Sequence, residues 1–292
     1  MSNMEKLLNA VKKANSGFSK DKEDDVFFYP VRDAVGNGSA VIRFLPTEDA
    51  DDVPFVKLYT HGFKNATSGK WLIDNCPTTL EADCPICAAN SVNYNTMSKE
   101  DARKLGMNRK VSYITRVLVV EDKKTPENEG KVFLYKFGQK IFDKIVDKLQ
   151  PEFEDDKPCN IFDLVEGADF KLKIRKVDGQ TNYDKSEFSD PSECEVKVFK
   201  QFTPENDIQK FLKPENFKSA EKLQARLDLV MGKASPAKPA AKSDEDKSDE
   251  DKFEQIAKPE AKPSTRKEVV KEEDDDEGDD IMALVKSLAK ED

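Results

Sequence analysis

Apolar and polar residues alternate with a period of two in several short runs between Val26 and Met231, and this alternation predicts β-strands. The runs are Ala40 to Leu45, Phe55 to Tyr59, Val111 to Val120, Val132 to Phe137, Phe170 to Val177 and Val196 to Phe202. In the fifth, Phe170, Leu172 and Ile174 alternate with Lys171, Lys173 and Arg175, so one face enters a core and three cations face outward. Helical periodicity is sparser. Ile141, Ile145 and Leu149 recur every four residues, and Leu223, Leu227 and Val230 mark a second amphipathic series beginning near Ser219. Ser98 followed by Asp101 fits a helix cap, which predicts a short helix from Lys99 to about Leu105. Leu7, Leu8 and Val11 give a short apolar helix face in a stretch that carries Lys6, Lys12, Lys13 and Lys20 against a single Glu5. Elements of this size predict an α+β fold that is rich in β.

Charge changes the picture at the carboxyl end. The chain has 292 residues and a formal net charge of -10, with 37% of positions hydrophobic. From Ser235 to Asp292 there are 11 basic and 19 acidic residues, which leaves 37 and 39 for the rest, so the acidity belongs to the tail. Residues 234 to 243 hold two prolines and no periodicity, and a stretch of Ser, Asp, Glu and Lys follows, which predicts a disordered linker. Eight of the nine residues from Glu272 to Asp280 are acidic, and Ile281, Leu284, Val285 and Leu288 follow at helical spacing, the pattern of an interaction tail. The expected division is therefore a basic arm at 1–20, a folded core at 21–232 and a tail at 233–292. No run reaches the roughly 20 apolar residues that span a bilayer and no secretory leader is present, so the expected location is the cytoplasm, with no membrane partner.

His61, Cys76, Cys84 and Cys87 fall within 27 residues, the last two as Cys-Pro-Ile-Cys. Two thiolates separated by two residues grip one ion from a single turn, and His61 and Cys76 can close a tetrahedron around it. The predicted cofactor is one structural zinc on a Cys3His set, because four protein ligands leave no open position for chemistry. A redox Cys-x-x-Cys pair needs neither the third cysteine nor the histidine. Cys159 and Cys194 stand alone and are expected to be buried. A zinc deaminase would need His-x-Glu, whereas here the residues are His61-Gly62-Phe63. His61 is the sole histidine, so its use as a ligand removes Ser-His and Cys-His nucleophiles. Gly69-Lys70 is followed by Trp71 instead of Ser or Thr, which breaks the phosphate-loop pattern. No enzymatic chemistry is predicted.

Residues 103 to 148 hold twelve basic and six acidic residues inside an acidic chain. Arg103, Lys104, Arg109, Lys110 and Arg116 lie in a stretch with no acid, and Tyr113 falls among them. Phe133, Tyr135 and Phe137 share one strand face, with Lys131, Lys136 and Lys140 close by. Rings beside cations suit unstacked bases and their phosphates, which a single strand offers without regard to sequence. Phe133 and Phe137 are expected in the core, whereas Tyr94, Tyr113, Tyr135 and Tyr183, amphipathic by virtue of their hydroxyls, are expected to face bases. The rival readings are a zinc-stabilised protein-interaction adaptor, whose basic surface docks acidic proteins, and a metal-dependent nuclease built from scattered carboxylates.

Over most of residues 35 to 185 the chain resembles the tailed-phage single-stranded DNA-binding proteins of the gene-thirty-two type, the helix-destabilising proteins. The residues that carry the resemblance are Gly36 through Pro46, then His61-Gly62-Phe63-Lys64 leading through Gly69-Lys70-Trp71 to the three cysteines. Arg109-Lys110-Val111-Ser112-Tyr113, Pro126 through Phe133 and Asn182-Tyr183-Asp184 complete it. The resemblance implies an oligonucleotide-binding (OB-fold) barrel with a structural zinc subdomain at about 60–125 and DNA in a cationic cleft between them. It implies zinc on His61, Cys76, Cys84 and Cys87, and a cleft lined by Tyr94, Tyr113, Tyr135 and Tyr183 with Arg43, Arg109 and Lys110. It further implies a protein that coats single-stranded DNA in viral replication, recombination and repair within the infected bacterial host. Self-association would come through the basic arm (Lys6, Lys12, Lys13), and recruitment of replication and recombination proteins through the acidic tail. The family's motif of consecutive Lys/Arg followed by Ser/Thr is absent from the amino terminus, where Lys12-Lys13 is the nearest substitute.

Overall fold

The computed structural model describes residues 26–49, 52–153, 155–194 and 197–233. The chain divides into two compact units, Met1–Gly232 and Lys233–Asp292. The basic arm with Lys6, Lys12 and Lys13, and the acidic tail, lie outside the described residues. Among the described residues no helix is long and apolar enough to cross a membrane.

Eight strands form a sheet that curls into a half-barrel, with β4 (Lys110–Glu121) as its spine. One edge of β4 takes β2 (Phe55–Lys64) from Phe55↔Thr115 to Thr60↔Lys110, and then β1 (Gly38–Phe44) from Phe44↔Val117 to Val41↔Glu121. The other edge takes β5 (Val132–Phe137) from Tyr113↔Phe137 to Leu118↔Val132. β3 (Trp71–Asn75) extends β2, β6 (Ala168–Val177) extends β1, and β7 (Gln180–Asn182) and β8 (Glu187–Pro191) pair with β6. Among the described residues four α-helices accompany the sheet: α1 (Pro85–Thr96), α2 (Lys99–Lys104), α3 (Gln139–Leu149) and α4 (Ala220–Val230). The Ser98 side chain accepts from the Asp101 amide, so the predicted cap forms, and the Ser219 side chain accepts from the Lys222 amide at the start of α4.

The periodicities decide which faces are buried. In β6, Phe170, Leu172 and Ile174 are buried while Lys171, Lys173 and Arg175 are exposed, as the alternation requires. Phe44 is fully buried, and its ring centroid lies 5.7 to 6.0 Å from those of Phe137, Phe162, Phe170 and Phe188. Phe55, Phe142 and Ile141 of α3 close this barrel core. A second core gathers Phe63, Leu72, Ile86 and Met107 around Cys76 and Cys84, and α4 inserts Leu223, Leu227 and Val230 into it. Asp74 of β3 ties the helix down through ion pairs with Lys218 and Arg226, each at 2.9 Å.

One predicted strand is corrected. Val198–Gln201, within the expected run Val196 to Phe202, is a 3-10 turn. Both edges of β4 are already paired at this point, so the segment packs face-on instead: Val198 is buried with Leu45 and Leu118. Residues further along, around Ile208 and Phe211, cover Val56, Leu58, Ile114 and Leu134 on the same outer face. Cys159 is buried, and half-buried Cys194 packs beside Val198.

A buried cation pins the β1–β6 seam. Arg43 is 1% exposed; its Nε donates to Asp169 at 2.7 Å and its Nη2 to the Ser192 carbonyl and hydroxyl at 2.8 Å. Gly167 lets the turn close over this guanidinium, since a Cβ there would fall 2.1 Å from the Asp163 carbonyl oxygen. Asp169→Ala strands the charge and is expected to cost about 3 kcal/mol, read as a lower urea midpoint with an unchanged m-value.

Candidate nucleic-acid interface and metal centre

β2 and the turn after β3 bring His61 and Cys76 together, while the turn into α1 presents Cys84 as helix cap and Cys87 one turn inside. The four ligand atoms all lie within 4.8 Å of one another. Cys84 Sγ and Cys87 Sγ are each 3.4 Å from His61 Nε2, and Cys76 Sγ is 3.6 Å from Cys87 Sγ. Donors on a tetrahedral ion with metal–sulfur bonds of about 2.3 Å stand about 3.8 Å apart, so the residues fit one four-coordinate metal. His61 Nδ1 lies 3.1 Å from the Met107 carbonyl oxygen; donation there leaves Nε2 free to bind. Burial opposes protonation of His61, but the Cys76 and Cys84 sulfurs beside it prevail and raise its pKa to about 9. Hydrogen bonds from Cys84 and Cys87 favour a thiolate at Cys76, and that thiolate pushes the Cys87 thiol up. Four such donors need a cation, either protons or a metal.

The cationic residues separate into exposed and structural sets. Arg109 and Lys110 are exposed at the start of β4, where the half-barrel meets the metal core. Arg109 Nη1 donates to the Thr78 hydroxyl at 3.2 Å, and its guanidinium carbon lies 4.2 Å from the Tyr59 ring centroid. Arg103 is exposed on α2, and Lys104 there is answered by Glu100 at 3.0 Å and Asp101 at 3.4 Å. Tyr94 is half-buried, its hydroxyl accepting from Asn108 at 3.0 Å. Half-buried Tyr183 lies in a turn whose Asp184 carboxylate is held below its usual range, chiefly by a hydrogen bond from Asn182 and further by Lys140, Arg175 and Lys144. Lys131, Lys136 and Lys140 are exposed.

Four expected contacts are corrected. Arg43 is consumed by the seam already described. Arg116 is 8% exposed, stacks 4.3 Å from the Phe202 ring centroid and donates to the Asn206 carbonyl at 2.9 Å, because the segment after β8 wraps over its strand face. Tyr113 is 1% exposed and lies flat against Phe142 with centroids 3.9 Å apart; its hydroxyl donates to Gln139, and burial raises its pKa. Tyr135 is 4% exposed beside Phe137, and burial likewise raises its pKa. The shared face of Phe133, Tyr135 and Phe137 is real, but it is the core face. Lys57 and Tyr59, which the sequence did not single out, sit on one face of β2; a cation and an aromatic two positions apart in a strand was the available sign.

The family model described as "gp32 DNA binding protein like" matches residues 36–231. The chain belongs to this gp32-like family. The single-stranded DNA-binding protein of Enterobacteria phage T4 is 39% identical to it over 256 residues, 82% of each chain. That of Enterobacteria phage T2 is 40% identical over 222 residues, covering 72% of this chain and 71% of the relative. The matched region contains both the four-donor cluster and the Arg109–Lys110 pair.

Equilibrium dialysis against cobalt(II) is expected to load one ion per chain, to fail in Cys87→Ser, and to weaken as pH falls because every ligand must shed its proton. Tyr113→Phe is expected to cost about 1 kcal/mol in urea denaturation and Tyr113→Ala about 3–5 kcal/mol, the signature of a core ring.

Proposed function

We propose that this chain is a sequence-nonspecific, non-enzymatic single-stranded DNA-binding protein that coats and protects exposed strands during viral DNA replication, recombination and repair. The observation that carries the reading is the exposed Arg109–Lys110 pair, set beside a half-buried tyrosine where the half-barrel meets the metal core, in a chain of the gp32-like family. Cations at such a junction neutralise phosphates and release counterions, and half-exposed rings stack unpaired bases. The barrel serves as an OB-type platform, and the cluster of His61, Cys76, Cys84 and Cys87 holds one structural zinc that keeps the junction in shape. Tyr94, Tyr183, Arg103, Lys104, Lys131, Lys136 and Lys140 contribute around it.

Because only the single-stranded form is bound, duplexes are destabilised by mass action. The basic arm supports self-association along the strand, and the acidic tail competes with DNA for the basic surface and recruits replication and recombination proteins in the host cytoplasm.

Titration of intrinsic fluorescence with a single-stranded oligonucleotide and with its duplex, at two salt concentrations, tests the reading. Quenching by the single strand alone, weaker at higher salt, is expected, and Lys110→Gln lowers the salt slope by about one. Removal of residues 235 to 292 strengthens binding most at low salt. Equal or absent binding of both nucleic acids points instead to the zinc-stabilised adaptor, and cleavage of the strand in magnesium to a nuclease.

A further inference from the structure

Strand β2 passes from one core to another. Its odd positions share a face: Phe55 is buried in the barrel, His61 and Phe63 are buried in the metal core, and between them Lys57 and Tyr59 are only half-buried. Tyr59 packs against the margin of the second core and stays half-exposed there, with half-buried Lys57 two positions before it on the same face.

Lys57 Nζ lies 5.1 Å from the Tyr59 ring centroid, and the Arg109 guanidinium carbon lies 4.2 Å from it. Cations set at an aromatic ring place positive charge beside a π-face, the pairing that unstacked bases and their phosphates take. The metal loop fixes the ring's backbone at both ends: Tyr59 N–H donates to the Thr79 hydroxyl at 2.9 Å, and Cys76 N–H donates to the Tyr59 carbonyl at 2.8 Å. The Thr78 hydroxyl accepts from Arg109 at 3.2 Å and lies 3.1 Å from Cys76 Sγ. One Thr78 side chain therefore lies between a cysteine of the four-donor cluster and the cation over Tyr59.

We propose that Tyr59 is a base-stacking contact for single-stranded DNA, with Lys57 and Arg109 on the adjoining phosphates and Thr78 as the positioning residue that holds Arg109 over the ring. This rests on the single-stranded DNA reading above. The ring keeps a half-exposed position that Tyr113 and Tyr135 lack, with Lys57 and Arg109 both near it.

The test uses the full metal-loaded chain with oligothymidylate and with an abasic oligonucleotide of the same length. Tyr59→Leu is expected to weaken oligothymidylate binding about tenfold and to leave the abasic strand unchanged. Tyr59→Phe is expected to bind like the parent. Thr78→Val is expected to weaken both strands several-fold at unchanged metal content, and Thr78→Ser to restore them. Equal losses on both strands in Tyr59→Leu, or no loss on either, overturn the stacking role. Photocrosslinking of the unmodified chain to a strand carrying 5-iodouracil gives a readout free of folding effects: adducts at Tyr59 support the proposal, and adducts only elsewhere reject it. Failure of the unmodified chain to bind oligothymidylate rejects the single-stranded DNA reading itself.

Discussion

The pairing of β2 with β4 is the constraint on which the rest of the molecule depends. The register from Phe55↔Thr115 to Thr60↔Lys110 places one end of β2 in the barrel, and the remaining residues, His61 to Lys64, pair onward with β3. A shift of one residue would turn His61 and Phe63 outward and expose the apolar positions of both cores at once. Because one strand serves two cores, the barrel and the metal core are set against each other by backbone hydrogen bonds. The exposed start of β4, with Arg109 and Lys110, falls at their junction for the same reason.

The second core is small, and apolar packing there is supplemented in two ways. Cys76 and Cys84 are part of the buried cluster itself, so the residues that could hold a metal also fill the core. Helix α4 then supplies Leu223, Leu227 and Val230 from far along the sequence, with Asp74 holding Lys218 and Arg226 at its margin. The Ser68 hydroxyl donates to the Val230 carbonyl and Asn65 contacts Met231, so the last turn of the folded unit is anchored on the β2–β3 turn. The first compact unit ends at Gly232, next to this anchor.

Electrostatics is divided between structure and surface. Arg43 and Arg116 are buried and fully engaged with carboxylate and carbonyl oxygens, so each behaves as a hydrogen-bonding strut. Arg109 and Lys110 at the junction, and Lys140 and Arg175 near Tyr183, lie at the surface, where an added anion can reach them from solvent.

The sequence by itself determined the local events, because those depend on neighbours in the chain. The β6 alternation, the Ser98 cap, the helical series starting near Ser219, the Ile141-Ile145-Leu149 face and the Cys3His spacing were all legible and are all formed. Family membership was legible too, since it rests on the order of residues. Tertiary structure alone decided which half-polar side chains see solvent. Tyr113 and Tyr135 carry the same hydroxyl as Tyr59, and Arg116 the same charge as Arg109; what separates them is whether α3 or the segment after β8 folds across them. α1 escaped the periodic reading because its sequence has little amphipathicity, and its place is fixed by the two cysteines it carries to the cluster. A chain's own pattern records which faces are apolar, but the covering of a mixed face is settled by elements further along the chain, 26 residues on for Tyr113 and 90 for Arg116, and period alone does not contain that distance.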